Sequence, residues 1–248
     1  MRWQARLTCS ALLFFAASFG TAQAEAETPF VEWHTTNIQL LRGNHYELGS
    51  KKRTLSTLEH ANKWRYGDFH FFMDYTWPDE GDEFYYFEPT TRFSLSKISG
   101  KDFSYGLIKD VLISTNFEKP KDRKTRLLGG VSVDLDLPGF TFFKTNYWLR
   151  DNRDLSGSTY QFSVAWNRPV EWQGVSFLSE GFADFAGSEG TTTSHQLIVP
   201  RFLVDIGEQI GVGENRFWGG IEYSYWHNKF GQKGTTESAP QLQFKWVF

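Results

Sequence analysis

The chain has almost no cysteine, no long apolar run in its body and no surplus of basic charge. Its one cysteine, Cys9, lies within the first ten residues. Disulfides and thiol chemistry are therefore excluded for the remainder of the 248 residues. No segment past the N-terminal region approaches the roughly 20 apolar residues of a membrane-spanning helix. A net charge of -3 argues against an electrostatic nucleic-acid binder. No His, Asp and Glu spacing resembles a structural or catalytic metal site, and none suggests a cofactor. What the chain does have is aromatic side chains: 24 Phe, 10 Tyr and 10 Trp, 18% of the total. Mean hydropathy is nonetheless polar, at -0.45. Transmembrane β-strands reconcile the two, because only alternate residues face lipid and aromatic girdles line both interfaces.

The ends of the sequence carry the same expectation. Met1–Ala24 has Arg2 and Arg6, an apolar run from Ala11 to Phe19 and a small-x-small site at Ala22-Gln-Ala24. That pattern reads as a cleaved export signal, leaving a mature chain of 25–248. Cys9 precedes the apolar run, so it is not placed for lipid attachment. At the other end, Leu242, Phe244, Trp246 and Phe248 share one face of a strand, and Gln241, Gln243, Lys245 and Val247 share the other. A closing strand of this kind, ending at Phe248, is the expected handle for the barrel-assembly machinery of an outer membrane.

Between these ends the alternation repeats. The segments Trp33–Leu41, Thr54–Ala61, Asp68–Trp77, Phe84–Leu95, Leu107–Phe117 and Leu127–Leu135 read as strands. So do Phe140–Arg150, Thr159–Arg168, Val175–Phe185, His195–Asp205, Phe217–Asn228 and Pro240–Phe248. The polar stretches between them are short, and Trp64–Asp68, with its Gly67, reads as a tight turn. The expected fold is all-β: a closed, transmembrane, antiparallel, up-and-down barrel of twelve strands, with both termini on the periplasmic side. Pro89 and Pro200 fall inside strand patterns and predict bulges or bends.

Charge on the lipid face near the midplane would cost about 2–4 kcal/mol, which directs the charged faces inward. The lumen-facing residues are then His70, Phe72, Asp74, Tyr86, Glu88, Arg92, Lys144, Asn146, Trp148, Arg150, Glu180, Asp184, Glu222, Ser224, Trp226 and Asn228. The faces of two strands are ambiguous; Asp110, Asn116, Glu118, Arg201 and Asp205 are assigned inward on charge.

Three separated segments resemble the Tsx-type nucleoside-specific channels, which include OmpK-like proteins. They are Glu59–Asp74 (EHANKWRYGDFHFFMD), Glu88–Ser104 running into Lys109–Ile113, and the closing pair with Tyr223–Gly231 and Glu237–Phe248. The resemblance covers most of the mature chain and is weakest over Thr125–Val204. It implies a monomeric twelve-stranded barrel, passive uptake of nucleosides and deoxynucleosides, and in some members use by phage or colicins. A nucleoside offers a base that stacks on aromatics and a sugar that takes hydrogen bonds. The candidate substrate-binding residues are therefore Phe72, Asp74, Tyr86, Glu88, Arg92, Asn146, Trp148, Arg150, Glu222, Trp226 and Asn228.

Bland readings compete with each of these. Strand aromatics serve as girdle or packing residues, and inward charges in a narrow barrel form a lattice that fills the bore. A plugged structural or receptor barrel is therefore an alternative, as is a channel for acidic oligosaccharides, whose lumen should be rich in Arg and Lys. Catalysis is not expected. An outer-wall hydrolase with His and Ser two apart on one strand has no counterpart here, since Thr36, Glu47, Asn62, Phe72, Leu197 and Lys229 follow the six histidines at that spacing.

Overall fold

The structure, a computed structural model, describes residues 29–248; the leader expected at Met1–Ala24 lies outside the described residues. Twelve strands run in chain order: β1 Val31–Gly43, β2 Arg53–Trp64, β3 Gly67–Pro78, β4 Phe84–Ser94, β5 Ile108–Pro120, β6 Arg126–Leu135, β7 Phe142–Asn152, β8 Thr159–Trp172, β9 Val175–Ala186, β10 His195–Asp205, β11 Phe217–His227 and β12 Thr236–Val247. Each pairs antiparallel with its sequence neighbour, and β12 returns to β1, so the sheet closes without an edge. Strands of 10 to 14 residues match or exceed the 9–11 or so that a tilted strand needs to cross a bilayer. No helix among the described residues is long and apolar enough to cross a membrane.

Burial is inverted relative to a water-soluble protein. Ile38, Leu40, Tyr147, Leu149, Tyr160, Phe202, Ile221 and Leu242 stand exposed on the outer wall, while Gln39, Arg92, Ser114, Ser132, Glu237 and Gln243 are fully buried within. Facing partners share a side, so register fixes every side chain. Asn37 pairs with Glu59, Glu59 with Phe72 and Phe72 with Glu88, all inward. The same bookkeeping turns Asn116, Glu118, Arg201 and Asp205 inward, as their charge had indicated.

Several expectations are corrected. Pro89 and Pro200 produce no bulge: register is the same at Phe87↔Lys119 and Thr90↔Asn116 on either side of Pro89, and at Ile198↔Tyr225 and Arg201↔Glu222 around Pro200. A missing N–H removes a ladder bond there without adding a residue. The irregularities lie instead at Val31/Trp33 and Ile108/Asp110. β4 stops at Ser94 rather than Leu95, because a short helix, α1 Leu95–Ser99, follows at once. The Ser94 side chain caps it by accepting from the Lys97 N–H, and Gly100 ends it in the left-handed region. β7 starts at Phe142, not Phe140; β12 starts at Thr236, so Pro240 lies within it; and β11 ends at His227, short of Asn228.

The Arg65–Tyr66 turn between β2 and β3 depends on Gly67. A Cβ there would lie 1.8 Å from the Arg92 carbonyl oxygen, so this close approach of β3 to β4 admits only glycine. The end of the barrel where β1 starts and β12 finishes also holds α1; the opposite end holds the β1–β2, β3–β4 and β11–β12 loops.

Candidate functional site

The lumen wall contains two kinds of charged neighbourhood. In the first, cations and carboxylates saturate one another. Arg92 donates to Asp68 at 2.9 and 2.6 Å and to Asp134 at 2.7 and 3.2 Å, and Lys144 adds a 3.4 Å contact to Asp68. Arg150 donates to Glu118 and Gln161 at 2.9 and 2.8 Å, and Arg126 reaches the other Glu118 oxygen at 2.9 Å. Glu222 accepts from Arg201 at 2.6 Å and from Gln241 at 2.9 Å, while Lys245 donates to Glu180 at 2.7 Å. Low dielectric makes such networks stiff when fully satisfied.

The second neighbourhood is on β3 and β4. Register sets Phe72 opposite Glu88 and Asp74 opposite Tyr86. The Phe72 and Tyr86 rings lie 5.7 Å apart, and His70 flanks Phe72 at 6.1 Å. Asp74 accepts from the Thr57 hydroxyl at 2.5 Å; Glu88 accepts from the Tyr86 hydroxyl at 2.6 Å and from Asn116 Nδ2 at 2.8 Å. Neither carboxylate has an ion-pair partner among the described residues. Beside them Glu59 takes bonds from Gln39 and Asn37 and meets His70 Nε2 at 2.9 Å. The Asn116 Oδ1 is buried without a partner.

The eleven sequence-predicted residues therefore separate. Phe72, Asp74, Tyr86 and Glu88 form one contiguous patch, only half-buried and open to the lumen. Arg92, Asn146, Trp148, Arg150 and Glu222 also face inward but are buried in the wall. The Trp148 indole N–H donates to Ser114 Oγ at 2.6 Å, and Asn146 Oδ1 accepts from Ser132 at 2.6 Å. Trp226 lies at the loop end, 4.4 Å from the Phe230 ring and 6.5 Å from His195; its indole nitrogen and His195 Nδ1 are buried without partners. Asn228 is corrected: it occupies the turn after β11 at φ 49, donates to the Ser194 carbonyl at 3.0 Å and accepts from the Gly234 N–H at 2.8 Å. The strand ends at His227, and the turn that follows does not obey the strand's alternation.

Sequence reasoning missed Glu59, whose inward face is legible from β2 alternation, and Tyr46, Glu189 and Lys229, which loops carry into the barrel. Hydrolytic geometry that spans two strands is likewise invisible to a reading along single strands. Across β1 and β2, Thr36 Oγ1 lies 2.8 Å from His60 Nδ1, and Asn62 lies 3.3 Å from His60 Nε2 on the outer wall. The backbone amides beside them are committed to the β1–β2 ladder and cannot cradle an oxyanion. His60 packs between His34 and Phe71 as an interfacial girdle residue.

An edgeless sheet with an apolar exterior and a polar interior defines a membrane-embedded β-barrel. The chain belongs to the family of the nucleoside-specific channel-forming protein, Tsx, whose profile matches residues 32–244. It is similar in fold to the KdgM porin solved in complex with disordered oligogalacturonate, at TM-score 0.50 and 6% identity, covering 86% of this chain and 99% of that one. Weaker likenesses are to the Acinetobacter baumannii outer membrane protein Omp33 (TM-score 0.40, 9% identity, 88% and 99% covered) and to the translocator domain of the autotransporter NalP from Neisseria meningitidis (0.34, 12%, 87% and 88%). A comparison with curated protein sequences finds no match. Family and architecture together make this protein an outer-membrane β-barrel channel.

Proposed function

We propose that the barrel passes nucleosides and deoxynucleosides by passive, selective diffusion, and that Phe72, Asp74, Tyr86 and Glu88 are the principal contact patch. One observation carries this reading: two adjacent aromatic rings lie beside two half-buried carboxylates that are held by neutral donors and no cation. The rings offer stacking worth about 1–3 kcal/mol per base. The carboxylates accept from ribose hydroxyls and from N–H donors on the base edge. Weak contacts of this kind suit a channel, since a tight site would stop flux.

The family match supports the same permeant. The oligogalacturonate in the KdgM complex is a polyanion, which an accessible patch of carboxylates here would repel. No catalytic step is needed. The chain is read as a monomer, with β12 and Phe248 serving outer-membrane assembly; recognition by phage or colicin would fall on the loops. The alternative is a barrel plugged by its own lattice, favoured by the buried Arg92 and Arg150 networks. The test is uptake of labelled adenosine and thymidine into proteoliposomes, with a pentose as control. Faster, saturable nucleoside uptake supports the channel, whereas folded barrels without uptake support the plug.

A further inference from the structure

The β1–β2 loop, residues 44–52, does not project away from the barrel. Tyr46 turns back into the mouth and is 4% exposed. Its ring lies on Gly43, where an added Cβ would stand 3.0 Å from Tyr46 Cε2 and 3.0 Å from Gln241 Cγ. Its hydroxyl donates to Gln241, and burial raises the phenol pKa far enough to keep that proton in place. The Arg53 guanidinium covers the ring at 4.6 Å and the Phe84 ring at 5.6 Å. The same guanidinium donates to three loop carbonyls, Ser50 at 3.0 Å, Glu47 at 3.2 Å and Leu48 at 2.8 Å. The Glu47 N–H donates to Glu237 at 2.8 Å, and Lys229 pairs with that carboxylate. Leu48 and Gly49, at φ 63 and 102, reverse the chain so that it returns to β2.

Gly43, Arg53, Phe84, Glu237 and Gln241 all belong to the lumen face of β1, β2, β4 and β12. These five contacts therefore hold the loop against the lumen side of the wall. Among the described residues Arg53 forms no ion pair, and its guanidinium is instead taken up by three carbonyls of the loop.

We propose that the β1–β2 loop, pegged by Tyr46, is a fixed inward ledge that sets the largest solute the barrel admits from the loop end. Arg53 is its positioning residue. The inference rests on the protein being a channel and not on its permeant being a nucleoside.

Liposome swelling with neutral sugars graded from a pentose to a trisaccharide reads the size limit directly. Tyr46→Ala should raise the rate for a disaccharide relative to a pentose by about fivefold, as expected when a constriction at the mouth is released. Arg53→Met should do the same, and serves alone if Tyr46→Ala fails to fold. Tyr46→Phe keeps the ring on Gly43 and should retain the wild-type cut-off. Folding of each variant is checked by heat-modifiable electrophoretic mobility. A disaccharide-to-pentose ratio unchanged in folded Tyr46→Ala or Arg53→Met would overturn the proposal. The panel contains no base, so failure of the nucleoside reading would leave this result untouched.

Discussion

Arg92 and Glu88 lie four residues apart on the same face of β4, and their surroundings are opposite. Arg92 is 2% exposed and gripped by two aspartates. Glu88 is half-buried and accepts from a phenol and an amide, and forms no ion pair among the described residues. The charged lattice around Arg92 joins β3, β4, β6 and β7 and has no remaining valence for a solute. The patch around Glu88 keeps oxygen acceptors and ring faces turned to the bore. One strand thus contributes to both wall and binding track, and the difference is whether each group's hydrogen-bonding capacity is already spent.

Breaking the lattice should give the largest effect. Arg92→Met leaves Asp68 and Asp134 without their main partner and should cost about 3–5 kcal/mol in urea unfolding, with nucleoside affinity of the folded protein unchanged. Trp148→Ala belongs to the same region and should also cost stability, about 3–5 kcal/mol as for other buried tryptophans, while permeant affinity stays as in wild type. On the patch the pattern should reverse. Phe72→Ala should weaken nucleoside binding by about 1–3 kcal/mol through lost stacking, measured by nucleoside-dependent block of conductance. Glu88→Gln removes an oxygen acceptor worth about 0.5–1.5 kcal/mol to a hydroxyl, and should weaken nucleoside binding several-fold without loss of stability. Asn228→Ala should leave affinity unaltered and cost only the roughly 1 kcal/mol of a left-handed turn position. A loss of affinity there equal to that at Phe72 would erase the distinction between patch and turn.

The wall was legible in the sequence because the strand period is two and the outer face tolerates little charge. On β3, alternation groups His70, Phe72 and Asp74 on one face and charge turns that face inward, and register agrees. Which inward residues are accessible was not legible. Arg92 and Glu88 look alike in sequence; only the arrival of Asp68 from β3 and Asp134 from β6 distinguishes them. Loops escaped for a different reason, since the segment that carries Tyr46 inward and then reverses at Leu48 and Gly49 has no periodicity to record it. The cap of α1 was readable in principle from Ser94 and Gly100, which flank a five-residue run.

Planar-bilayer conductance of the refolded protein, titrated with adenosine and thymidine and with a neutral sugar as control, tests the central claim most directly when wild type is measured beside the Asp74→Asn/Glu88→Gln variant. Saturable block by nucleoside in wild type, absent with sugar and weakened in the variant, is the predicted result. Equal block in both proteins, or none in an inserted and conducting wild type, would contradict the assignment of nucleoside selectivity to the β3–β4 patch.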